Sequence, residues 1–266
     1  MTTLGIIGTG LIGGSIGMHA RHRGWRVLGY DAQRSTAEGA VACGAVDEAV
    51  QRETIYTDAD VIVIAAHIDG TIAELERMRF TQPRRARLVI DIASVKAPVV
   101  RAARGVRNFV ATHPMAGRER SGPGAASREV FEGKTWLYVP TGDRELDWRA
   151  VEFIGSFAAT PVEIEAEEHD RTVAFTSHLP QVLATLFAER LRHRRLSNVE
   201  AFMGPTAKEL MRLSRSSAAM WHDILDANRV HICRELRAMA QSLNAVAEGL
   251  DRGENLYAQE TSRQNA

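Results

Sequence analysis

Hydrophobic positions along this 266-residue chain fall into two textures. In the first part, short β-rich apolar runs occur at Leu4–Gly8, Trp25–Tyr30, Asp60–Ala66, Arg87–Ile92, Asn108–Thr112 and Thr135–Pro140, with another, "PVEIE", at 161–165. Between several of them lie helix-like stretches at Leu11–Arg23, Ser35–Cys43 and Gly70–Arg79. Strands alternating with helices predict βαβ units and a mostly parallel sheet covered on both faces. Runs such as "VIVIAA" and "RLVIDI" lack polar alternation, as expected of strands with both faces buried.

After about Ala166 no clear strand signal remains. Residues 166–192 read as one long helix. From Trp221 to Leu250, Leu225, Ile232, Leu236, Met239, Leu243, Val246 and Leu250 fall mainly at three- and four-residue steps. That spacing predicts an amphipathic helix whose stripe packs within its own domain or against a second copy. The chain therefore divides into an α/β domain over 1–165, a helical domain over 166–250 and a polar tail, 251–266, expected to fray.

Composition narrows the function. With 45% apolar and 25% charged residues the chain reads as globular. Its formal net charge of zero gives no global attraction to nucleic acid or anionic membrane. Cys43 and Cys233 are far apart in sequence and have no metal-ligand spacing, so no zinc site or disulfide framework is expected. The start, "MTTLGIIGTG", lacks the basic segment and apolar core of a signal peptide. No apolar run approaches the ~20 residues that span a bilayer. These features predict a cytoplasmic protein acting on a small molecule, with no metal, nucleic-acid or membrane partner.

"LGIIGTGLIGGS" contains Gly8-x-Gly10-x-x-Gly13, after an apolar strand and at the opening of a helix pattern. Gly8 suits the tight turn, Gly10 the approach of a pyrophosphate, and Gly13 close helix–strand packing. Leu11 and Ile12 open the helix, whose N-terminus offers amide donors to phosphate. The next strand ends in Asp31, 18 residues after Gly13. A carboxylate there accepts bonds from ribose hydroxyls and repels a 2′-phosphate, which favours NAD over NADP. Arg34 stands nearby as the alternative, a receiver for that phosphate. This context predicts a doubly wound Rossmann domain.

In open α/β sheets, ligands bind beyond the carboxyl ends of the strands. Ser94 in "DIASVK", His113 in "FVATHPMAG" and His67 after "VIVIAA" stand at such ends. His113 is expected where its strand stops, as a base at the lip of the cleft or as an incidental turn residue. Ser94 is its companion or a helix N-cap. His67 lines the cofactor cleft or caps the next helix. "TSHLPQVLA" places His178 and Gln181 three apart, on one helix face if the helix passes Pro180. Lys208 and Arg212 lie four apart in "KELMR". Arg212, set among Leu210, Met211 and Leu213, is either part of a solvated face or a clamp for a carboxylate.

Together, "GIIGTGLIGGS", "DIASVK", "HPMAGRERSG", "HDRTVAFTSHLP" and "MRLSRSSAAMWHDI" resemble the prephenate/arogenate dehydrogenase family, in the family's order, over residues 4 to about 250. The resemblance implies an N-terminal Rossmann domain and an all-helical C-terminal dimerisation domain, hence a homodimer. It also implies oxidative decarboxylation of prephenate with NAD, giving 4-hydroxyphenylpyruvate, CO2 and NADH on the route to tyrosine. Arogenate, the amino analogue, gives tyrosine directly. In this reading His113 is the base and Ser94 bonds the same substrate hydroxyl or orients His113. Arg212 matches the carboxylate-binding arginine, and His178 belongs to the substrate or nicotinamide pocket. Lys208 is a weaker match that reaches a site across the dimer.

Three positions depart from the family pattern. Arg118 stands where a small polar residue is expected after HPMAG. Gln181 replaces a second histidine; being neutral, it favours prephenate over arogenate. Gly204-Pro205 replaces a more glycine-rich turn. No room is expected for an appended regulatory domain. The rival readings are a β-hydroxyacid or imine dehydrogenase, an enzyme acting on an aminated prephenate analogue, and a non-enzymatic NAD-sensing dimer.

Overall fold

The computed structural model describes residues 1–117, 122–194 and 198–254. Arg118 and all of the expected tail beyond 254 lie outside the described residues. The chain forms two compact units, Met1–Asp170 with Arg215–Ala227, and Arg171–Ser214 with Asn228–Ala266.

The first unit holds a wholly parallel six-stranded sheet. Its elements run β1 (Thr3–Ile7), α1 (Leu11–His22), β2 (Arg26–Tyr30), α2 (Arg34–Ala42), β3 (Glu48–Ala49), α3 (Arg52–Asp58), β4 (Val61–Ile64), α4 (Ile68–Phe80), β5 (Leu88–Asp91), α5 (Ala97–Ala102) and β6 (Phe109–Val110). The strand order is β3-β2-β1-β4-β5-β6. It reverses between β1 and β4, which opens a crevice at the carboxyl ends of these strands. Alternate residues of each strand enter two separate cores. Leu4, Ile6, Val63, Leu88 and Ile90 join one cluster. Ile7, Ile62, Ile64 and Val89 join the other. Both faces are buried, which is why these strands read as continuous apolar runs.

A second, three-stranded sheet departs from the single sheet expected. It is built from β7 (Thr112–Pro114), β8 (Thr135–Tyr138) and β9 (Thr160–Glu163), with α6 (Arg144–Gly155) joining the last two. β7 and β8 are antiparallel, whereas β8 and β9 are parallel. The run expected as one strand at Asn108–Thr112 splits at Ala111. The reason is local: Thr112 N–H donates to Asp91 Oδ1 at 2.9 Å. The Thr112 hydroxyl donates to the Asp91 carbonyl, and Lys96 Nζ donates to the Thr112 carbonyl at 2.6 Å. With its polar groups taken there, Thr112 leaves the first sheet and enters the second. Buried Trp136 of β8 donates to the Thr112 hydroxyl at 2.9 Å.

The helical region begins with α7 (Ala166–Val173), a π-helical turn at Ala174–His178 and α8 (Leu179–His193). The single helix expected over 166–192 is thus interrupted just before Pro180. Proline donates no amide bond and crowds the preceding turn, and a π turn accommodates that mismatch. After α9 (Pro205–Leu213), the single helix expected over 221–250 is two helices, α10 (Ala218–Ala227) and α11 (Arg229–Asp251), parted at Asn228. Residues 215–227 group with the first unit, although they fall inside the expected helical domain. Ile224 is buried in the second core cluster there, and Met220, Trp221 and Ala227 pack against it. No helix among the described residues is long and apolar enough to cross a membrane.

Candidate active site

The glycine turn between β1 and α1 is shaped by close backbone approaches. Gly8 has φ +100°, and a Cβ there would lie 2.4 Å from the Ala65 carbonyl oxygen. A Cβ on Gly13 would lie 2.0 Å from the Gly8 carbonyl oxygen. Gly10 differs: a Cβ there would meet no atom within 4 Å. The first helical bond of α1 runs from Gly14 N–H to the Gly10 carbonyl at 2.8 Å. The amides of Leu11, Ile12 and Gly13 are therefore first-turn donors, which helix geometry leaves without intrahelical partners. An open space over a helix N-terminus with no acidic first-turn residue fits a pyrophosphate.

Asp31 follows β2. Its carboxylate accepts from Thr9 N–H and Gln33 N–H, each at 2.9 Å, which fixes its orientation. Arg34 is exposed and paired with Glu38 at 2.8 Å. Sequence reasoning missed Arg52. Its guanidinium lies 4.5 Å above the Tyr30 ring, donates to the Tyr30 hydroxyl at 2.8 Å and pairs with buried Glu74 at 3.1 Å. Both arginines near the end of β2 are thus engaged with carboxylates, a setting that suits a ribose diol better than a phosphate.

The His113 reading needs one correction. The residue comes three positions after the end of β6, but it is not in a turn: it lies inside a further strand, β7, opposite Leu137 of β8. Its Nδ1 is 2.9 Å from His169 Nε2. His169 Nδ1 is in turn 2.7 Å from Asp170 Oδ1. The Asp170 carboxylate accepts Lys96 N–H at 2.7 Å and Ala97 N–H at 2.8 Å, where α5 begins. His169 and Asp170 are buried. Burial lowers the His169 pKa, against the pull of Asp170, and the Lys96 cation lowers it further. Burial alone would raise the Asp170 pKa, but the bonds from His169, Lys96 and Ala97 outweigh it and hold the carboxyl below its ordinary value.

Beside this chain lies a fully buried ion pair, Lys96 with Asp91. Burial pushes the Lys96 pKa down, against the attraction of Asp91. Ser94 is half-buried in the loop before α5. It is not a helix cap, because α5 starts at Ala97 and Lys96 holds the N-cap position. His67 is exposed at the N-cap position of α4 and makes no side-chain cap bond.

The other predicted site residues lie in the second unit. His178 is buried, with Nδ1 3.2 Å from Asn228 Nδ2. Gln181 is also buried, and its Nε2 donates to the Leu213 carbonyl at 3.0 Å, fastening the end of α9. Arg212 is exposed on α9 and bonds Glu209 through Nε, at 2.8 Å, and Nη2. Lys208 is exposed on the same helix. Among the described residues no group of three or more His, Cys, Asp or Glu is arranged to hold a metal.

Comparison with known proteins decides the family. Residues 16–159 match the nucleotide-binding domain of prephenate dehydrogenase, and residues 165–260 match its dimerization domain. The chain belongs to the prephenate dehydrogenase family. This family member is 34% identical over 260 residues to the probable prephenate dehydrogenase NovF of Streptomyces niveus, covering 94% of this chain and 69% of that protein. It is 29% identical over 270 residues to the prephenate dehydrogenase of Bacillus subtilis, covering 96% and 72%. In fold it is similar to the crystal structure of A. aeolicus prephenate dehydrogenase in complex with hydroxyphenyl propionate and NAD+. The TM-score is 0.89 at 24% identity, over 99% of this chain and 96% of that one. This dehydrogenase is an oxidoreductase with a Rossmann nucleotide-binding domain followed by a mostly helical part.

Proposed function

We propose that the enzyme converts prephenate and NAD to 4-hydroxyphenylpyruvate, CO2 and NADH, on the route to tyrosine. The observation that carries this reading is the placement of His113 just past β6, at the carboxyl edge of the nucleotide-binding sheet, with its ring held by His169. NAD, when bound, supplies the hydride acceptor. Gly8, Gly10 and Gly13 with the amides of Leu11 and Ile12 would hold its pyrophosphate, and Asp31 its ribose.

Loss of hydride from the ring carbon requires electron density from its hydroxyl oxygen. His113 draws the hydroxyl proton as the hydride leaves, a task suited to a neutral imidazole near neutral pH. Loss of the ring carboxylate as CO2 aromatises the ring, and the proton returns to the phenolic oxygen. Ser94 bonds the same hydroxyl. We assign substrate carboxylate binding to Arg212, a role in the substrate or nicotinamide pocket to His178, and to Lys208 a site across the dimer. Gln181 supplies no negative charge for the amino group of arogenate, which favours prephenate. The protein acts as a cytoplasmic homodimer on this small molecule, without a nucleic-acid or membrane partner. The matched dimerization domain and the zero formal charge support that reading.

The test is NADH formation at 340 nm with prephenate or arogenate and NAD or NADP. Turnover with prephenate and NAD is expected. Turnover with arogenate alone would move the substrate to the amino analogue, and silence with both would overturn the reading.

A further inference from the structure

We infer that His169 and Asp170 are positioning residues that fix the ring tautomer of His113, so that its Nε2 carries the lone pair facing the proton to be moved. The inference rests on His113 being the base.

The direction of each hydrogen bond follows from its far end. The Asp170 carboxylate receives two backbone N–H groups, Lys96 on Oδ1 and Ala97 on Oδ2. An ionised carboxylate only accepts. His169 Nδ1, 2.7 Å from Oδ1, must therefore carry the proton. Burial and the Lys96 cation disfavour a second proton on His169, which leaves its Nε2 bare. A bare Nε2 at 2.9 Å from His113 Nδ1 accepts from it. His113 thus has its proton on Nδ1 and its lone pair on Nε2.

The opposite tautomer of His113 is costly. It requires His169 to donate from Nε2, which strips its Nδ1 and sets two acceptors face to face at 2.7 Å. In this buried site an unmatched pair costs more than in water. The charged groups around His169 are Asp170, Lys96 and Asp91. Lys96 opposes a second proton on His169, and Asp170 anchors the one already there. When His113 takes a proton on Nε2, the resulting cation donates to a neutral ring backed by a carboxylate. Ser94 is not required for this orientation.

Histidine 15N spectra of the ligand-free enzyme read the tautomer directly, with His113 assigned by its loss in His113→Asn. A protonated Nδ1 and bare Nε2 are expected near neutral pH. Asp170→Asn should abolish this single-tautomer pattern. It should also lower kcat on prephenate by about 10²–10⁴-fold, the range for a misdirected general base, while the KM values change little. His169→Gln keeps an acceptor oxygen near the Nε2 position and should retain far more activity than His169→Leu. A protonated Nε2 on His113 in the wild-type enzyme overturns the inference, and so does an unchanged tautomer and kcat in Asp170→Asn. The wild-type spectrum requires no substrate, so it separates this inference from the assignment of prephenate.

Discussion

Lys96 and Asp91 form an ion pair wholly shut off from solvent, and both of them also bond Thr112, the residue before His113. Removing one partner of a buried pair leaves an uncompensated charge, which costs about 3–5 kcal/mol. Lys96→Met should lower the unfolding free energy by roughly that amount in urea titrations. It should also lower kcat in the protein that remains folded, because the Thr112 carbonyl loses its donor. A variant as stable as wild type would show that the pair is dispensable.

Acid should weaken the fold in two stages. His169 and His19 both have folded pKa values pushed below 6.5, chiefly by burial. As pH falls through 6.5 the unfolded chain takes up protons that the folded chain refuses. The stability present above 6.5 is therefore lost as pH falls towards the folded values. Asp170, held below 3.8, adds a second loss as pH falls below that value. Thermal unfolding from about pH 8 to about pH 5 should show Tm falling from near 6.5 downward. His169→Gln should flatten part of that decline; an undiminished slope would assign it elsewhere.

Two of the fingerprint glycines should separate folding from binding. Gly13→Ala drives a Cβ against the Gly8 carbonyl and should cost on the order of 1–3 kcal/mol of stability. Gly10→Ala meets no protein atom, so stability should stay within about 0.5 kcal/mol. NAD affinity should nonetheless fall about tenfold or more, a change of ~1.4 kcal/mol. Calorimetry with NAD and a denaturant curve on each variant check both halves. Unchanged NAD affinity in Gly10→Ala would mean the dinucleotide does not approach that turn.

The roles proposed for His113 and Arg212 should show different kinetics. His113→Asn should cut kcat by ~10²–10⁴-fold while NAD still binds. Arg212→Ala should mainly raise KM, by an amount on the order of 1.5–3 kcal/mol for a lost charge-assisted bond. An unchanged KM would leave Arg212 as a surface partner of Glu209.

Much of the fold was legible because it rests on local pattern. The strands around Ile6, Val63 and Ile90 announce themselves as apolar runs, and the glycines mark the turn between β1 and α1. What the sequence hid depends on contacts distant along the chain. The break at Thr112 is made by Asp91 and Lys96, 21 and 16 residues away, and no periodicity encodes it. β3 is two residues long and offers no pattern. In the site, His113 stood out beside its proline, whereas His169 and Asp170 open the family-like stretch "HDRTVAFTSHLP" but sit in a polar helix start, "AEEHDRTV", that suggests no role for them. Adjacent residues on a helix carry no spacing signal; only the 56-residue separation closed by the fold joins His169 to His113.

Because His113 is carried on β7, its backbone has little freedom to swing. Val139 N–H to the Ala111 carbonyl at 2.9 Å and Met115 N–H to the Thr135 carbonyl at 2.8 Å fasten the strand on either side of it. Backbone hydrogen exchange at these two amides should be slow, opening only when the small sheet itself separates. An imidazole mounted this way is a fixed post. In the reaction proposed above, the proton is brought to the imidazole rather than the imidazole to the proton.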